Sequence, residues 1–185
     1  AEWYAERIAC LAEFTTSERY EVLRRTVAMR TRYMTVLAEN MYHGQNAAAL
    51  IRHCEAEGNV FRRCHGWYDA DITARGARQS ELVAERLCGE PIEKIYSSDL
   101  YRARRTAMPL ARMKGLGIIP VQGLREINLG FWEDKMWGEL PLEYPEQFGY
   151  WEREPFRCVP EGGESVRRVG ERMYATIARL AEENE

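Results

Sequence analysis

The sequence predicts an α/β fold with a mainly parallel central sheet flanked by helices. Short apolar runs at residues 48–51, 92–96 and 118–121 each end abruptly at polar or loop-forming residues, as buried parallel strands do on reaching the carboxyl edge of a sheet. Between and after them stand longer segments whose apolar residues recur at three- and four-residue spacing, the period of an amphipathic helix. At 185 residues, 45% of them apolar, the chain is one ordinary domain, or a domain plus an appendage, and can bury a real core.

Taken in order, Thr15 with Glu18 has the form of a capping box, and Tyr20, Leu23 and Val27 follow at helical spacing, which predicts a helix over residues 16–30. Residues 33–39 read as a strand and 40–46 as a loop. Residues 48–51 admit two readings. Ala47, Ala48, Ala49 and Leu50 favour a helix across residues 46–52, but propensity differs by only a few tenths of a kcal/mol per residue. Burying Leu50 and Ile51 in a sheet is worth roughly 1.5 to 3 kcal/mol each, so a strand is expected there, followed by a loop at His53. Residues 60–71 form a charged loop with aromatics. Thr73 caps a helix running to Leu87, with Leu82, Val83 and Leu87 expected to face the sheet; Gly89 and Pro91 end it. A strand at 92–96 stops at Ser97 and Ser98, a helix covers 101–114, and Gly115 and Gly117 break the chain before a strand at 118–121. Glu126 follows in a loop with Gly130. Residues 132–151, rich in aromatics, prolines and acids, read as an irregular insertion or lid. Val166, Val169, Met173, Ile177 and Leu180 form the apolar stripe of a last helix.

A net charge of −3 argues against a general nucleic-acid or membrane-surface binder. No apolar run approaches the roughly 18 residues of a membrane span, and no signal peptide is visible. The five cysteines, Cys10, Cys54, Cys64, Cys88 and Cys158, are an odd count without C-x-x-C spacing, which reads as reduced thiols in a cytoplasmic protein. A metal site from His53-Cys54 and Cys64-His65 matches none of the usual zinc spacings.

Chemistry gathers at Arg52-His53. A guanidinium grips phosphate oxygens in a fixed fork, and neutral imidazole is a nucleophile near pH 7. Alone, the pair reads more readily as a surface Arg and a capping His. The surrounding run of Arg52, His53, Glu55 and Asn59 resembles the signature of the histidine phosphatase superfamily, the phosphoglycerate-mutase-like phosphatases. Five further blocks resemble it in the same order: His65-Gly66-Trp67-Tyr68-Asp69; Ile72 to Gln79; Tyr96 to Ala103 with Thr106-Ala107; Leu124 to Glu133 with Glu126; and Pro160-Glu161-Gly162-Gly163-Glu164-Ser165. Cys54 stands where the family usually has Gly, and being small it is expected to be tolerated.

The resemblance implies a three-layer sandwich of the phosphoglycerate-mutase type over residues 47–185. It also implies a phosphomonoester hydrolase that works through a phosphohistidine on a small phosphorylated metabolite. His53 would be the nucleophile and Glu126 the acid and base, while Arg52, Asn59 and Arg102 would hold the phosphate oxygens. No cofactor and no metal is implied, and the loop at 60–71 would cover the phosphate pocket. The family has a second pocket His on a strand after the helix that here ends near residue 185. This chain's histidines are His43, His53 and His65. The chain also begins without Met and stops inside a helical pattern, so both ends look cut, and reduced activity is expected.

Residues 11–58 resemble a different family, the amino-terminal part of SpoU-type RNA ribose methyltransferases. The carriers are Leu11 to Thr16 with Arg19, Arg30 to Glu39, and Asn46 and Arg52 running to Gly58. This implies a helix and strand over residues 1–46 as an appendage, in a chimera or fusion joined where the two families look alike. The alternative functions it raises are a fragment of an RNA 2'-O-ribose methyltransferase and a non-catalytic chimera. The methyltransferase reading is the weaker, because that family's later cofactor-binding motifs are absent from the sequence.

Overall fold

A computed structural model describes residues 50–184. They fall in two compact units: the larger is His53–Arg179, and the smaller takes in residues 50–52 and 180–184. The expected helix at 16–30, the strand at 33–39 and the appendage at 1–46 lie outside the described residues.

Within the larger unit the fold is α/β. Helix α1 (Glu57–Phe61) is followed by α2 (Ala74–Leu87), β1 (Ile95–Ser97), α3 (Tyr101–Lys114) and β2 (Ile118–Pro120). The Thr73 hydroxyl accepts from the Gly76 amide at 3.0 Å, satisfying an otherwise orphaned donor at the start of α2. Asp69 does the same for α3 from a distant loop, its carboxylate accepting from the Tyr101 amide at 2.7 Å. Gly115, with φ of 65°, closes α3. Strands β1 and β2 pair in parallel, Ile95 opposite Ile118 and Ser97 opposite Pro120, joined through α3 as a βαβ unit. Ala84 of α2, Leu110 and Ala111 of α3 and Ile95 of β1 form the core between these elements, with Leu87, Ile92, Ala107, Leu116 and Ile118 packed around it.

Four expectations need correction. Leu50 and Ile51 belong to no strand, and Ile51 is 44% exposed. Apolar identity alone does not make a strand without a backbone ladder, and among the described residues the sheet consists of β1 and β2. Leu82 is 48% exposed; the buried stripe of α2 is Gly76, Ser80 and Ala84, small residues that let the helix approach its neighbours closely. The expected loop at 60–71 starts late, since Val60 and Phe61 belong to α1.

The expected irregular lid at 132–151 is instead largely helical, with α4 (Leu140–Glu143) and α5 (Pro145–Arg153) each starting with proline in its first turn. Its aromatics form a second core. Trp132 is fully buried among Tyr144, Phe148 and Trp151 at ring distances of 5.6 to 6.3 Å, beside Cys64, Leu129 and Leu140. Main-chain bonds from Cys64 to Lys135 and from Trp137 to Arg62 lace the segment after α1 to this core. The last helix, α6 (Val166–Glu182), buries Val166 and Val169, while Met173, Ile177 and Leu180 are half-buried. Among the described residues no helix is long and apolar enough to cross a membrane.

Candidate active site

His53 lies in an irregular stretch before α1, half-buried. Its Nδ1 is 2.7 Å from the Cys54 carbonyl oxygen. A carbonyl can only accept, so Nδ1 carries the hydrogen, and a neutral ring then holds its lone pair on Nε2. The following residue is anchored deep in the fold. The Cys54 amide donates to the Thr106 hydroxyl at 3.0 Å, and that hydroxyl lies 3.1 Å from the Cys54 sulfur. Burial pushes the Cys54 thiol up, partly offset by the Thr106 hydrogen bond, so it stays a neutral packing group. Gly76 of α2 presses against the same stretch, since a Cβ there would stand 2.0 Å from the Glu55 carbonyl oxygen.

One loop, residues 65–69, reaches most of the expected site residues. The His65 ring lies 6.1 Å from the His53 ring, edge on. It is buried against Gly58, where a Cβ would stand 2.0 Å from its Nε2. Arg102, 1% exposed, donates to the Gly66 carbonyl at 2.8 Å and to the Tyr68 carbonyl at 2.9 Å. It is therefore a buried guanidinium tied to the loop rather than a solvated helix residue. Trp67 donates through Nε1 to the Glu126 carbonyl at 2.9 Å, while its amide donates to Glu133 at 2.7 Å. His53, Arg102 and Glu126 are thus linked through five consecutive residues.

The remaining two site residues stand differently. Asn59 is exposed within α1, and its side-chain oxygen accepts from the Ala56 amide at 2.9 Å, which leaves its NH₂ as the group able to face an anion. Arg52 is half-buried and belongs to the smaller unit.

Next to Glu126 in the chain, Arg125 is paired with Asp99. Its guanidinium lies over the Trp67 ring at 4.6 Å and donates to both oxygens of Asp99, at 2.7 and 2.5 Å. That hydrogen bond holds the Asp99 carboxyl below its ordinary range and raises Arg125. Cys64, one residue before the loop, is pushed up to about 12, first by burial and then by the nearby Glu133 carboxylate. It is an inert thiol. Sequence reasoning passed over Glu133 and Arg172. Glu133 stands inside a recognised block, but Arg172 lies on the polar side of an amphipathic helix, where no local pattern distinguishes it from a solvated residue.

The loop at 65–69 thus gathers the His53 and His65 rings, the buried Arg102 of the βαβ unit and the main chain at Glu126. The chain belongs to the histidine phosphatase superfamily (branch 1), whose family model matches residues 48–185. It is 38% identical over 131 residues to phosphoserine phosphatase 1 of Hydrogenobacter thermophilus, covering 71% of this chain and 62% of that relative. It is 36% identical over 137 residues to the probable phosphoglycerate mutase GpmB of Klebsiella pneumoniae, covering 72% and 62%. The alpha-ribazole phosphatase of Shigella flexneri superposes with a TM-score of 0.69 at 28% identity, over 72% of this chain and 66% of that one. The chain therefore spans about three fifths of the length of these curated relatives. The family match takes in residues 48–58 of the stretch that also resembles SpoU-type methyltransferases; most of that second resemblance lies outside the described residues.

Proposed function

We propose that the chain carries the catalytic domain, residues 47–185, of a phosphomonoester hydrolase that acts on a small phosphorylated metabolite through a phosphohistidine. The observation that carries this reading is the loop at 65–69, which ties His53, Arg102 and Glu126 into one neighbourhood. Relatives named as phosphatases of phosphoserine and alpha-ribazole support the substrate class. The free thiols of Cys54, Cys64, Cys88 and Cys158 support a reducing, cytoplasmic setting.

In this reading the His53 Nε2 lone pair attacks phosphorus in line, a phosphorus–nitrogen bond forms, and the bond to the ester oxygen breaks. Glu126 gives its proton to the departing alkoxide. Water then attacks the phosphohistidine, Glu126 takes a proton from it, and inorganic phosphate leaves with His53 neutral again. Arg102 and the Asn59 NH₂ hold equatorial oxygens, where charge is spread in the transition state. Arg102 keeps part of its fork for the loop, so it both shapes the pocket wall and presents charge to the anion.

Incubation with a ³²P-labelled phosphoester, followed by a denaturing alkaline quench in which a phosphoramidate survives, should leave label on the wild-type chain and none on His53→Ala. Label persisting on His53→Ala, or a wild-type chain that never acquires it, would overturn the assignment.

A further inference from the structure

Glu126 stands in a stretch, residues 125–129, that belongs to no helix or strand. A group that must deliver a proton to one oxygen has to be held within a fraction of an ångström, and an irregular backbone has no ladder of its own to do so. What holds this one comes from two distant places. The Glu126 carbonyl accepts from Trp67 Nε1 at 2.9 Å and from Arg172 Nη2 at 3.1 Å, so both of its lone pairs are engaged. Arg172 Nη1 also donates to the carbonyls of Gly123 at 2.9 Å and Arg125 at 2.8 Å. One guanidinium on α6 therefore gathers three carbonyls from four consecutive residues. Its own position is set by Glu164, whose carboxylate accepts from Arg172 at 2.6 Å and from the Asn128 amide at 2.9 Å, two residues past Glu126. Trp67 is fixed in turn by Arg125 over its ring and by Glu133 on its amide.

We infer that Arg172 and Trp67 are positioning residues for Glu126, setting the aim of its carboxyl group by clamping its main-chain carbonyl from two sides. Neither touches the substrate in this account. The inference rests on the reading of Glu126 as the leaving-group acid, and it has a signature that a merely structural role lacks. Mis-aiming an acid slows departure of a basic alkoxide, which must be protonated, far more than departure of p-nitrophenolate, which leaves readily as an anion. Nothing about loosened packing distinguishes the two esters.

The test follows the rate of phosphoenzyme formation, so that the later water attack does not intrude, with p-nitrophenyl phosphate and with glycerol phosphate. Arg172→Lys keeps the charge and loses the fork; Trp67→Phe keeps a ring and loses the N–H. Each should slow phosphoenzyme formation from glycerol phosphate by about tenfold or more, a fraction of the full acid's contribution, with half-saturation within twofold and a much smaller loss on the aryl ester. Glu126→Gln is the reference. If it depresses both esters alike, or if the wild-type chain forms no phosphoenzyme, Glu126 is not the leaving-group acid and this inference falls with that reading. If Glu126→Gln discriminates between the esters and Arg172→Lys and Trp67→Phe do not, the inference alone is overturned. Should Arg172→Lys fail to fold, Trp67→Phe decides.

Discussion

Asp99 and Arg125 show how a pair outside the reacting atoms is bound to the site's geometry. Asp99 titrates below its ordinary range because Arg125 donates to both of its oxygens, and Arg125 in turn covers Trp67. A carboxyl whose folded pKa is depressed contributes stability that is present above its unfolded value, near 3.9, and is lost as pH falls through the lower folded value. Asp99→Asn should therefore be less stable than wild type at pH 7, by about 1 kcal/mol or less for a partly exposed pair. The gap should close below pH 4, which urea unfolding at a series of pH values would read. An unchanged gap at pH 2 would mean that Asp99 contributes through packing rather than charge. At the same scale, the bond from His53 Nδ1 to the Cys54 carbonyl leaves the lone pair of a neutral ring on Nε2, and the Cys54 sulfur faces the Thr106 hydroxyl.

Among the elements, α2 carries the sharpest test. Alanine at an exposed helical glycine normally stabilises by up to about 1 kcal/mol. At Gly76 the added Cβ would meet the Glu55 carbonyl oxygen at 2.0 Å, so Gly76→Ala should instead destabilise by roughly 1 to 3 kcal/mol and slow phosphorylation of His53, two residues before Glu55. Thermal melts with a phosphoenzyme assay would check both, and a stabilised Gly76→Ala would refute the close approach. Thr73 works at the same junction. Its hydroxyl caps α2 and lies 2.7 Å from the Glu55 carboxylate, so Thr73→Ala should cost about 1 kcal/mol or somewhat more, read by the same melts. The strands invite no comparable test, since each is three residues long.

The larger unit contains two apolar cores among its described residues. One joins α2, α3 and the sheet, and the other is built on Trp132. Cys64 belongs to the second and immediately precedes the loop at 65–69, so packing there bears on the site through a single peptide bond. Trp132→Ala should cost about 3 to 5 kcal/mol. It should also make the Cys64 thiol, fully buried and pushed up to about 12 in the native fold, reactive to a thiol reagent at neutral pH under conditions where the wild-type chain protects it. A variant that lost stability with Cys64 still protected would show that the two halves of this core are independent.

The bounds of α2 and α3 were legible in the sequence because their signals are local: Thr73 before the first turn of one and Gly115 after the last turn of the other act within a few residues of where they stand. The motif blocks that mark the superfamily were legible for the same reason. Strand pairing was not, as Leu50 and Ile51 show, because a ladder depends on what lies beside a segment and not on its own apolarity. The helices within 132–151 were obscured by prolines that open helices as readily as they end them. The clamp on Glu126 lay furthest from reach. Trp67 and Arg172 are separated from it by 59 and 46 residues, and a hydrogen bond between such distant segments leaves no periodicity or spacing behind. The sequence alone determined the family and singled out the side chains proposed for the chemistry. Tertiary structure decided which carbonyls hold them in place, because a carbonyl is the same in every residue and only folding selects the donor it meets.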